Sequence, residues 1–279
     1  APLLAAYGDL AAEMWRIPTA ERAFAESIAA SGDFPYGEVR LAAMEALKGQ
    51  YAGARTRLDE LLARRPDYGP ARIQMGRLLG QLGNAAEAAA ALKEIATDSE
   101  HEVAARIALV EVNLQSTGEG VQQALASAQI AASSRPDAET YSVLSRAFLA
   151  AGDPGNAETA ARTALERDPR SAAAHLALAR VLQARQDLDG ALTEVNHALE
   201  IDPYLVPALE TGGAVWAARG EFRKCAEFWK RALALNPWHA DLHRRLSEVL
   251  GPRLGDWTGT GEHHQKYVEL ERMRTEAAH

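Results

Sequence analysis

The sequence predicts an all-α protein made of repeated helix pairs, and three observations carry that expectation. Ala supplies 58 of the 279 residues while aromatic side chains make up only 6%, a composition that favours tightly packed helices over strands. Apolar residues recur at i, i+3, i+4 and i+7, the stripe of an amphipathic helix. Pro136, Pro169, Pro203 and Pro237 recur at a nearly constant interval of about 34 residues, so the stripes break at a fixed period.

Each element of the period has a local cause. Three of the breaks are Asp168-Pro169, Asp202-Pro203 and Asn236-Pro237. Proline disfavours helical geometry in the residue before it, and Asp or Asn favours the turn. Pro66 lies two periods before Pro136, with Asp98-Ser99-Glu100 at the position between them, and Pro35 lies one shortened period before Pro66. Near each midpoint stands Gly49, Gly83, Gly152 or Gly220, with Gln186 in the same place in one period. Glycine ends a helix there because a left-handed turn costs it little. One small residue per helix completes the pattern, at a fixed offset within each pair: Ala11/Ala23, Ala42/Ala54, Gly76/Ala88, Ser145/Ala157, Ala179/Ala191 and Gly213/Cys225. Only small side chains there let two antiparallel helices approach closely.

These residues resemble the tetratricopeptide-repeat family, whose helix-turn-helix consensus of about 34 residues has aromatic, Leu, Gly/Ala, Tyr, Gly, Tyr, Ala, Ala and Pro anchors. Tyr141, Leu144, Ser145, Phe148, Gly152, Ala157, Ala161, Ala164 and Pro169 follow it. So do His175, Leu178, Ala179, Leu182, Gln186, Ala191, Val195, Ala198 and Pro203 one period later. The resemblance implies a right-handed superhelical solenoid of about eight repeats, one domain over residues 1–279. The repeats fall near 4–34, 35–68, 69–102, 103–137, 138–171, 172–205, 206–239 and 240–277. In the fourth, Ser116-Thr117-Gly118-Glu119-Gly120 lengthens the turn and leaves the register of the first helix ambiguous. The first helix, from Leu3 to Tyr7 onward, is apolar on most faces and is expected to dock on a partner, on further chain, or on repeat two.

Composition and motifs exclude several chemistries. One cysteine rules out an internal disulfide framework, a four-cysteine zinc site and CxxC redox chemistry. A net charge of -8 argues against a general nucleic-acid binder, and no apolar run reaches the roughly 18 residues of a membrane span. The excess of Arg over Lys and the abundant Ala suit a bacterial protein, cytoplasmic or periplasmic. His239 and His243 have metal-ligand spacing, but His243 falls at the aromatic packing position of Tyr141 and His175. His263-His264 are read as a solvated face. His101-Glu102 lacks the second His of a zinc-protease helix, Gly118-x-Gly120 is not a nucleotide fingerprint, and no phosphate loop occurs. Cys225 is read as a small buried residue, and Tyr51, Trp216 and Trp229 as packing residues. The chain is therefore expected to need no cofactor or metal and to catalyse nothing.

The resemblance also implies where a ligand sits. In the family the second, fifth, ninth and twelfth positions of each first helix face a groove. The ninth is Arg77, Arg146 and Arg180, which Arg106 joins in one choice of register, with Gln74 and Gln183 nearby. Val39, Ile73, Leu149 and Leu176 supply apolar inner positions. Two readings of the arginines stand side by side: a groove for an acidic peptide or protein segment, or a ladder of ion pairs between repeats with residues such as Glu139, Glu210 and Glu248. The Lys and Asn clamp that grips chaperone tails is absent, since the fifth and ninth positions read Val39/Ala43, Ile73/Arg77, Ser142/Arg146 and Leu176/Arg180. The expected function is a non-catalytic protein-binding scaffold. The alternative is a substrate-recruiting module of a larger enzyme, a glycosyltransferase or protease, for which the start at Ala1 without Met and Gly255-Asp256-Trp257 are the cues.

Overall fold

The computed structural model describes residues 1–97, 100–114 and 118–278. The expected break at Asp98-Ser99, and Ser116-Thr117 in the fourth turn, lie outside the described residues. The described residues form helices joined by short turns, with no strand among them. In chain order the helices are α1 (Pro2–Glu13), α2 (Ile17–Ser31), α3 (Pro35–Leu47), α4 (Tyr51–Arg64), α5 (Gly69–Gln81) and α6 (Ala85–Ile95). Next come α7 (Glu102–Asn113), α8 (Glu119–Ser134), α9 (Ala138–Ala150), α10 (Pro154–Arg167) and α11 (Ala172–Ala184). The last five are α12 (Leu188–Ile201), α13 (Val206–Ala218), α14 (Phe222–Leu235), α15 (Ala240–Leu254) and α16 (Trp257–Ala278). Backbone contacts group them into two compact units, Ala1–Ser116 with Arg272–His279, and Thr117–Glu271.

Within the first unit, α1 packs on α2, α3 on α4 and α5 on α6, while α3, α5 and α7 also touch in succession. In the second unit α9, α11 and α13 pair with α10, α12 and α14 and form a row of their own. The small residues act as expected. A Cβ at Gly76 would come within 2.6 Å of the Leu92 side chain, so α5 and α6 meet at a distance only glycine permits. Ala42, Ala54, Ala88, Ala157, Ala179, Ala191 and Cys225 are all fully buried, and Ser145 donates its hydroxyl to the Ala157 carbonyl at 2.8 Å. Gln186 adopts φ +64°, where the corresponding turns use glycine.

Some placements follow only from packing. Val39 and Ile73, expected on the ligand face, are buried in the core of the first unit, Val39 among residues of α4 and α5 and Ile73 among residues of α6 and α7. His263 is not on a solvated face. It packs against His243, Nδ1 to Nδ1 at 2.8 Å, while His264 is exposed. On α1, Leu3, Tyr7 and Leu10 are 87%, 52% and 54% exposed.

Candidate functional site

The second unit holds a cavity of about 240 Å³ lined by Glu139, Ser142, Val143, Arg146 and Leu149 of α9, by Ala173, Leu176, Ala177 and Arg180 of α11, and by Leu205 and Pro207. The lining repeats itself. Glu139, Ala173 and Pro207 are each one repeat period apart, as are Ser142 and Leu176, and Arg146 and Arg180. Two parallel first helices thus present equivalent positions to one space. Of the residues singled out in the sequence, Arg146, Arg180, Leu149 and Leu176 meet here.

The electrostatics are uneven. The buried Arg146 Nε has no hydrogen-bond partner among the described residues. Arg180 Nε donates to the neutral hydroxyl of Thr211 at 3.3 Å, and that hydroxyl donates in turn to the Pro207 carbonyl at 2.8 Å. Burial, and then the neighbouring Arg146 charge, lower the Arg180 pKa below the ordinary guanidinium value, with Glu210 opposing. The nearby carboxylates are otherwise engaged. Glu139 pairs with Arg135, and Glu210 accepts from His239 Nε2 at 2.8 Å. Burial disfavours the His239 imidazolium, but the Glu210 hydrogen bond and charge, with Asp241, outweigh it and raise the pKa. The result is two guanidinium groups in an apolar-walled space, neither ion-paired to a carboxylate among the described residues.

The remaining candidates lie elsewhere. Arg77 Nε binds Glu111 at 2.9 Å. Arg106 turns to Glu102 on its own helix at 2.9 Å and to the Ala96 carbonyl at 3.2 Å, so the residue one period beyond Arg77 is Glu111. Gln74 and Gln183 are half-buried on α5 and α11. Cys225 is buried on α14, and burial pushes its thiol up to about 12, so it holds no nucleophilic thiolate near neutral pH. A separate group of side chains of the types that can ligate a metal, His175, Glu194 and His197, joins α11 to α12. Thr211, Leu205 and Pro207 were not singled out in the sequence. The one-period spacing from Glu139 and Ala173 was the available signal for Pro207, whereas Thr211 and Leu205 fall outside the groove positions.

Two segments, residues 45–105 and 148–204, match the family model described as tetratricopeptide repeat. Among solved structures, the chain is similar over 99% of its length to a chain of the APC/C hetero-tetramer Cut9-Hcn1, with 13% identity and a TM-score of 0.63. It spans 54% of that chain's length. A crystal structure of MamA is similar over 56% of this chain and 92% of its own, with 17% identity and a TM-score of 0.46. No curated protein matches the sequence.

Proposed function

We propose that this chain, a tetratricopeptide-repeat protein, is a non-catalytic scaffold that takes an acidic segment of a partner protein in the cavity between α9 and α11. Repeats of this family serve protein–protein interaction, and the lining of the cavity supports an acidic segment as the ligand. The observation that carries the reading is the pair Arg146 and Arg180, drawn into one apolar-walled space without a carboxylate partner among the described residues. An unpaired, partly desolvated charge is costly, and a ligand carboxylate that restores its hydrogen bonds gains about 1.5–3 kcal/mol per contact. Leu149, Leu176 and Val143 supply the apolar wall for the methylene groups of an Asp or Glu side chain. The size agrees: about 240 Å³ falls below the ~300–1,000 Å³ of small-molecule sites and suits one or two side chains. No helix among the described residues is long and apolar enough to cross a membrane.

The test is a peptide array of acidic, neutral and basic sequences, followed by fluorescence anisotropy of the best binders. Acidic peptides should bind selectively and weaken as salt rises. The double variant Arg146→Glu/Arg180→Glu should lose them while keeping its helicity. Equal binding of neutral peptides, or unchanged affinity in the double variant, would reject the reading.

A further inference from the structure

We infer that His175, Glu194 and His197 form a binding site for one divalent transition-metal ion of the zinc type. The three come from two helices, His175 from α11 and Glu194 and His197 from α12, and none of them lines the anion cavity. His175 Nδ1 lies 2.6 Å from Glu194 Oε2, and His197 Nδ1 lies 3.8 Å from the same oxygen. All three ligand atoms fall within 4.8 Å of one another. A tetrahedral ion with bonds of about 2.0–2.2 Å sets its ligand atoms roughly 3.3 Å apart, so the observed separations bracket what the ion needs.

The protons support the same conclusion. His175 Nε2 lies 3.2 Å from the Pro169 carbonyl, which can only accept, so Nε2 carries the hydrogen. The repeat builds this contact twice, since His243 Nε2 meets the Pro237 carbonyl at 3.1 Å. The packing therefore fixes the orientation of the His175 ring, and a backbone carbonyl on the far nitrogen is the usual outer partner of a metal-bound histidine. Nδ1 is thereby the nitrogen turned to the Glu194 carboxylate, at 2.6 Å. A proton on Nδ1 would join those two atoms alone, whereas a metal ion would also use His197 Nδ1, which stands 3.8 Å from the same oxygen. Two imidazoles and one carboxylate suit Zn²⁺ and its neighbours rather than the oxygen-seeking Mg²⁺ or Ca²⁺. The His197 side chain is 47% exposed, leaving an entry path and room for a water at the fourth position.

The experiment is a calorimetric titration of the EDTA-stripped, dialysed chain with ZnCl₂ at about pH 7.5, since metal ions compete with protons for imidazole and carboxylate ligands. One ion should bind per chain. His197→Ala and Glu194→Gln should each weaken binding at least about tenfold, and His197→Ala should leave the fold intact because that side chain is half exposed. His263→Ala, which breaks the other histidine pair, should leave zinc binding unchanged. Absence of saturable binding, affinity indifferent to both His197→Ala and Glu194→Gln, or loss of the single site in His263→Ala would overturn the assignment. His175 and Glu194 would then be a protonated ion pair. Peptide binding at Arg146 and Arg180 is measured separately, so failure of one reading leaves the other standing.

Discussion

Arg77 in the first unit and Arg146 in the second hold the same position on equivalent helices, yet the two units use them differently. One period beyond Arg77 stands Glu111, and the two pair at 2.9 Å. One period beyond Arg146 stands Arg180, a like charge, and Arg180 finds only the Thr211 hydroxyl among the described residues. A single residue in the following repeat thus decides whether the arginine is neutralised internally or stands without a carboxylate partner among the described residues. The ion-pair reading of the arginine row describes Arg77, and a ligand site is our proposal for Arg146 and Arg180.

The largest effect should come from giving the second unit the charge pattern of the first. Arg180→Glu places a carboxylate one period beyond Arg146, so the two should pair as Arg77 and Glu111 do. Affinity for acidic peptides should fall by about 1.5–3 kcal/mol per lost contact, roughly 10- to 150-fold, as read by anisotropy. Full affinity in this variant would show that the cavity does not select anions through its arginines.

Acid should separate the units next. His243 donates Nε2–H to the Pro237 carbonyl, which leaves its Nδ1 to accept from His263 Nδ1–H. Burial first, and then neighbouring positive charge, lower both pKa values below 6.5. Their contribution to stability is therefore complete above about pH 6.5 and is lost as pH falls through the lowered values. Hydrogen exchange should show the second unit loosening with acid before the first does. His239, raised by Glu210, acts in the opposite direction, so His263→Gln is needed to isolate the pair. That variant should flatten the acid response, and an unchanged response would remove the pair from the account.

A smaller effect serves as a control. Gln186 closes the turn after α11 at φ +64°, where a side chain is disfavoured and glycine is not. Gln186→Gly should stabilise the chain by about 0.5–1 kcal/mol in urea unfolding, an amount net of the chain entropy that glycine loses. Peptide affinity should stay constant, since Gln186 does not line the cavity.

The smallest expected effect lies in the first unit. Arg77 and Glu111 are both more than a third exposed, so Glu111→Gln should cost only about 0.2–1 kcal/mol of stability after solvent screening. Its value is as a gain of function: a freed Arg77 should add weak, salt-sensitive affinity for acidic peptides. A loss of stability well beyond that range would mean the pair carries packing as well as charge.

The period, the helix ends and the close approach of the paired helices were all legible in the residues alone. Those features repeat along the chain, and each has a local cause in Pro, Gly or a small side chain. The same period put Arg146 and Arg180 at equivalent helical positions, one full repeat apart. Which charges meet was a matter for packing. The register of α7, obscured by the long turn after it, had to be built before Glu111 could face Arg77 and Arg106 could turn to Glu102. The joining of His175 to Glu194 and His197, and of His243 to His263, was equally hidden. Periodicity is carried by each helix alone, whereas a contact between side chains on successive helices depends on their relative rotation, which packing sets.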